Sequence, residues 1–414
     1  MRLSMSAPPP KLARSSSTTL EQFIEEIFVG ESGSECEFSD VDDDSIDENW
    51  DDDTMDEPET ETVWVEDSIP FQIPIDKNEA RASRYGLDWT SMRRMIFLGV
   101  PLVCFNLMWW LVNESGWDMT RDIDVLHAFG GEGAVHHAAT ERGLKSVLWD
   151  IRVQGDDGNI LLPQGFLRLL WYCMRLKVLG GAHFDVVCST WVWVAMKSTG
   201  RRSFLPMGPP RPTRKVHNGN LMSNLATILY MVLMGNRVPW CLEQPNSSLM
   251  LQATRLVQAQ AKITQHTRLI RTWMGCYGAL TPKLTKLLSP CDLILPLQRT
   301  MSRQRRTELR EAMAASSDGP TATVDEVKRA QGRPCVTGNK RGLQRSQAHP
   351  PEYGRAWIEA LLNWVAKHGA EWDVVPAHIL EQVLWTHISP DMWLDANLPL
   401  IAQSVGISIT RLAA

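Results

Sequence analysis

The residues best suited to chemistry begin with three glycines. Gly130, Gly131 and Gly133 follow a short apolar run, Val125 to Phe129, and precede a helix-like segment, after which Ser146 to Trp149 leads to Asp150. Strand, glycine turn, helix, strand and acid in this order suit a nucleotide-like ligand. The glycines admit a close backbone approach, the helix start offers free N–H groups, and an acid about 20 residues on can hold ribose hydroxyls. The G-x-G-x-x-G of dinucleotide sites is incomplete, because His136 stands where the third glycine belongs. The plainer alternative is an ordinary glycine turn of an α/β domain. Further along, HFDVVCSTW carries Asp185 and Cys188, and WCLEQPNSS carries Glu243. At the carboxyl ends of strands, a thiol and a carboxylate would face the pocket implied by the glycine turn. Taken singly, Cys188 reads as a small buried hydrophobe, Glu243 as a helix cap and Asp185 as a loop anchor. Their order at successive strand ends is what joins them.

Positioning these residues requires a doubly wound, mostly parallel α/β sheet, and the alternation of strand-like and helix-like stretches from Asp124 onward predicts one. Gly165 to Leu179 reads as a helix ended by Gly180-Gly181, and His183 to Cys188 as a strand. Leu221 to Met234 reads as a helix and Val238 to Glu243 as a strand. Trp357 to His368 and Ala377 to Leu384 are helical by periodicity. The expected organisation is an acidic disordered tail over 1–80, an apolar helical lead-in over 81–120, the α/β domain over 121–300, a basic flexible segment over 301–347 and a helical region over 348–414.

Charge is divided unevenly along the 414 residues, which carry 42 Lys and Arg against 48 Asp and Glu. Residues 21–67 hold 21 acids and no basic residue, so the other segments set all 42 basic residues against 27 acids. The folded part is basic and suits a polyanion such as nucleic acid, or is simply solvated. The acidic tail reads first as a solvated segment, with binding to a basic partner or to its own cleft as the alternative. Eight cysteines show no C-x-x-C pair and no zinc spacing, so no metal is expected, and they read as reduced thiols of an intracellular protein, nuclear or cytoplasmic. The N-terminus has no apolar signal core. Met95 to Val112 is uncharged and follows Arg93-Arg94, which allows a membrane span; Pro101, Asn106 and its length favour a buried helix.

The glycine turn and the two loops together resemble the class I S-adenosylmethionine-dependent methyltransferases, and among them the cytosine-5 DNA methyltransferases. That family opens its domain with D-L-F-x-G-x-G-G, with which Asp124 to Gly131 line up, Ala128 taking the place of the first glycine. Asp150 matches the acid after the second strand. Cys188-Ser189-Thr190 resembles the Pro-Cys loop with Val187 at the proline, and Glu243-Gln244-Pro245 resembles Glu-Asn-Val. Cys276-Tyr277-Gly278 and Lys283 to Leu287 are similar to a segment of some phage-like members. The resemblance covers roughly residues 120–290, and the variant pattern is similar to uncharacterised methyltransferase-like proteins of unicellular eukaryotes.

The resemblance implies S-adenosyl-L-methionine as cofactor, held by Asp124, Phe129, Gly130, Gly131, Gly133, Asp150 and Asp185. It implies Cys188 as nucleophile and Glu243 as the residue that holds the cytosine ring. A flipped base in DNA is the implied substrate, with Arg201, Arg202, Arg211, Arg214 and Lys215 on phosphates. Two other readings stay open: an inactive methyltransferase-like binding or scaffold protein, and a membrane-anchored protein spanning at 95–112.

Overall fold

The computed structural model describes residues 88–113, 115–315, 348–369, 371–384 and 387. The acidic tail, most of the segment expected over 301–347 and the end of the C-terminal region lie outside the described residues. Six strands form one sheet: β1 (Ile123–Ala128), β2 (Ser146–Trp149), β3 (Leu176–Phe184), β4 (Trp240–Pro245), β5 (Arg268–Trp273) and β6 (Leu284–Ser289). Their spatial order is β2-β1-β3-β4-β6-β5. β1 pairs in parallel with β2 and β3, and β3 with β4, whereas β6 runs antiparallel to both β4 and β5. The expected α/β architecture is present as a mostly parallel sheet with one reversed strand. Strand order reverses between β1 and β3, and ligands of open α/β sheets bind outside the carboxyl ends at such a point.

The uncharged stretch Met95 to Val112 is two helices. α1 (Trp89–Leu98) is capped by the Asp88 carboxylate, which accepts from the Ser91 N–H at 2.9 Å, and ends at Gly99 in the left-handed region. Pro101 then leads into α2 (Leu102–Asn113). Both bury their apolar residues in one core with the sheet. Among the described residues no helix is long and apolar enough to cross a membrane. The run is apolar because it is core, as the favoured buried-helix reading expected, and the alternative of a span at 95–112 has no helix long enough to form it.

Alternation along the strands sends neighbouring residues to opposite faces. On one face, Phe184 and Trp240 both meet Tyr230 of α5 (Arg214–Gly235), which packs with α4 (Pro163–Arg175). On the other face, α3 (Ala134–Glu141) lies beside α8 (Pro351–His368), and His183 meets Tyr353 and Trp357. Helices α6 (Thr254–Ala261) and α7 (Arg303–Ala314) complete the longer elements. α7 falls inside the segment expected to be flexible.

One boundary moves for a physical reason. α4 stops at Arg175, and β3 begins at once with Leu176 and runs through Gly180-Gly181. The glycines do not end a helix. A Cβ on Gly181 would lie 2.5 Å from Leu361 and 2.8 Å from Trp357, so the residue lets α8 close onto the sheet.

Candidate functional site

The glycine turn is built against the sheet end. Phe129 holds φ at 58°, a strained value for a phenylalanine, and its ring meets the edge of Trp149 at 5.0 Å. Gly130 sits on the His127 ring: a Cβ there would fall 2.6 Å from its atoms. Gly130→Ala should therefore lower stability by about 1–3 kcal/mol through overpacking, read as a lower urea midpoint with unchanged slope. Asp150 clasps the turn, accepting from the Gly131 N–H at 3.0 Å while its other oxygen caps Arg152 N at 2.8 Å. α3 starts at Gly133 with no side chain capping its first turn. Asp124 is not part of this arrangement. It lies at the opposite end of β1, paired with Lys177 at 2.6 Å and accepting from Lys145 N, because a six-residue strand separates its two ends by roughly 20 Å.

Beneath the turn lies a buried polar face that the parallel register assembles. His127 stands opposite His183, and His183 opposite Cys241. Two residues on, Asp185 and Glu243 fall on the same side. His127 Nε2 is 2.8 Å from Asp185 Oδ2, and His183 Nδ1 is 3.0 Å from Oδ1. His349, just before α8, reaches both acids: Nδ1 lies 3.2 Å from Asp185 Oδ2, and Nε2 lies 3.4 Å from Glu243 Oε1. Lys283 Nζ is 3.4 Å from the same Glu243 oxygen. His183 Nε2 is 2.8 Å from the Tyr353 hydroxyl.

Burial and charge work against each other here. Burial pushes His127 down to about 4 although Asp185 opposes it, so the ring is neutral near pH 7. Burial also disfavours a charged His349, but the Asp185 and Glu243 carboxylates overcome it and raise the ring to about 9. Against the pull of burial, His349 and His183 hold Asp185 well below the usual carboxylate range, and Lys283 with His349 lowers Glu243. Lys283 is itself raised despite burial, by Glu243, Cys188 and Asp185 in that order.

Cys188 follows β3 in a tight turn, its carbonyl accepting from Trp191 N at 2.7 Å, and it is partly exposed. Among the described residues no cysteine forms a disulfide. The five basic candidates separate. Arg201 is 0% exposed, stacks 3.5 Å over Trp191 and donates to Pro206 O, Thr190 Oγ1 and Val216 O. Its place is inside the loop, out of reach of a phosphate. Arg202, Arg211 and Lys215 are exposed and Arg214 is half-buried.

Asp185 and Glu243 thus share His349, and Glu243 also meets Lys283, while Phe129, Gly130, Gly131, Gly133 and Asp150 form the turn after β1 and Cys188 the turn after β3. Among the described residues two groups of side chains lie close enough to hold an ion: His127, His183 and Asp185, and Asp185, Glu243 and His349. Sequence spacing missed them because the ligands come from separate strands, His127 and Asp185 being 58 residues apart. The period-two pairs His183/Asp185 and Cys241/Glu243 were the available signal; nothing in the sequence marked His349.

No family model matches the chain, and no curated protein or solved structure matches it either.

Proposed function

We propose that the chain is an S-adenosylmethionine-dependent methyltransferase-like protein acting on cytosine in nucleic acid, with DNA as the first substrate class. One observation supports this reading: Glu243 of β4 lies 3.4 Å from the Lys283 ammonium, and Cys188 follows β3, the strand between β4 and the β1 that carries the glycine turn. The residues fit the cofactor. The uncapped first turn of α3 suits its carboxylate, and Asp150 across the turn suits its ribose hydroxyls. When bound, the cofactor supplies a methyl group on a sulfonium.

The chain's own groups would do the rest. A cation beside Cys188 favours the thiolate, which would add to C6 of the ring and make C5 nucleophilic. Glu243 would accept from the exocyclic amine, and would hold the ring nitrogen once a proton lies between them. After methyl transfer, loss of the C5 proton would expel the thiolate and restore the aromatic ring. Arg202, Arg211, Arg214 and Lys215 would position the strand through its phosphates. An intracellular location, nucleus or cytoplasm, goes with this reading.

A second reading, an inactive binding protein, is favoured by one feature: Glu243 Oε1 is already contacted by both Lys283 and His349. Calorimetric titration with S-adenosylmethionine tests the cofactor half common to both. Binding is expected, with a loss of at least about tenfold in affinity in Asp150→Ala, the scale of one charge-assisted hydrogen bond. No binding to the wild-type chain would remove both readings.

A further inference from the structure

The face formed by β1 and β3 supports chemistry independent of methyl transfer. We infer that His127, His183 and Asp185 bind one divalent first-row transition ion, zinc being the best match to two imidazoles and a carboxylate. Imidazole and carboxylate donors together suit zinc and its neighbours rather than calcium or magnesium. The ligand atoms of the three residues all lie within 4.8 Å of one another. They are set by sheet register rather than by a loop, so the backbone holds them in place.

The second observation is that buried polar atoms here face inward without hydrogen bonds. His183 Nδ1 and Asp185 Oδ1 stand 3.0 Å apart, yet neither makes a hydrogen bond. Atoms that share an ion are spaced this way, since ligands about 2.0–2.2 Å from zinc lie roughly 3–3.5 Å from each other. The other ring nitrogen of His183 is 2.8 Å from the Tyr353 hydroxyl. Such an outer partner fixes the tautomer and turns the Nδ1 lone pair toward the ion. The alternative group, Asp185 with Glu243 and His349, has the Lys283 ammonium 3.4 Å from Glu243 Oε1, whereas the first group meets the His349 ring, 3.2 Å from Asp185 Oδ2, which can give up its proton as an ion binds. With His127 and His183 fully buried, the ion would tie β1 to β3 through three protein ligands, leaving a fourth position for a water or another small donor.

Cobalt(II) is the probe. The full-length chain, stripped by chelation and dialysis, should take up one cobalt per chain with a visible d–d band, displaced by one equivalent of zinc. Zinc should also raise its melting temperature. Asp185→Asn and His183→Gln should lose both signals, Cys188→Ser should keep both, and Tyr353→Phe should weaken cobalt binding roughly 10–100-fold. His127→Gln is the ligand variant to use if either of the first two fails to fold, as circular dichroism would show. Absence of stoichiometric uptake by the wild-type chain overturns the inference. So does a band that survives in every folded ligand variant, or one that Cys188→Ser abolishes. None of these readouts depends on methyl transfer.

Discussion

Cys188→Ser is expected to lower methyl transfer to cytosine-containing oligonucleotides by about 10⁴-fold or more, the scale seen when a covalent nucleophile is removed. Affinity for S-adenosylmethionine should stay within about twofold, because Cys188 stands at the end of β3 while the glycine turn follows β1. The size of the effect follows from the ring chemistry: C5 of cytosine becomes nucleophilic only after a thiolate has added to C6. A serine hydroxyl beside Lys283 is not ionised near neutral pH and cannot replace it. Transfer of a labelled methyl group to DNA and RNA measures this, with cofactor titration in parallel. A fall of less than tenfold would eliminate the covalent mechanism while leaving cofactor binding intact.

The second large effect concerns stability against pH in the chelated, metal-free protein. His349 rises from an ordinary 6.5 to about 9 on folding, driven by the two carboxylates against burial. Its contribution is complete below pH 6.5, where both states carry the proton, and disappears as pH climbs through 9. The difference is on the order of 3 kcal/mol. His127 acts in the opposite sense. Its buried ring is lowered to about 4, so the unfolded chain takes up the proton first and stability falls as pH drops from 6.5 toward 4. Asp185, held low in the folded state, adds its loss only below its ordinary 3.8, outside the range of these melts. Urea melts between pH 4 and 9.5 should give a maximum near pH 6.5. His349→Gln should flatten the alkaline limb and preserve the acid one. An alkaline limb unchanged in that variant would show that the ring does not carry the charge between the two acids.

Parts of this arrangement are legible in the sequence because their physics is local. The glycine turn and β2 are read correctly since glycine placement and a short apolar run ending in an acid depend on near neighbours. The strand ends expected at Cys188 and Glu243 shift: β3 stops at Phe184, four residues before Cys188, and β4 runs past Glu243 to Pro245. Arg201 is not legible: beside Arg202 it looks like a phosphate contact, and only the packing of Trp191 over its guanidinium places it inside. Gly180-Gly181 looks like a helix stop until α8 is seen resting on it. The β5–β6 pairing escapes because Arg268 and Arg271 on the edge strand β5, and Lys286 on β6 beside it, break up any apolar run. Asp124 matches a motif by position, yet the length of β1 carries it to the wrong end of the strand.

The Tyr353–His183 contact joins residues 170 positions apart, which sets an order of events in time. All six strands precede residue 290, and α8 leaves the ribosome last of the elements that cover this face. Until α8 docks, the two acids and the two strand histidines stand open to solvent on a formed sheet edge. Synthesis from the N-terminus at about 5–20 residues per second gives that open face a lifetime of seconds. The proposed ion would enter during this interval and be enclosed when α8 closes. Exchange afterwards should be limited by the undocking of α8, so stripping and reloading the mature protein should need long equilibration.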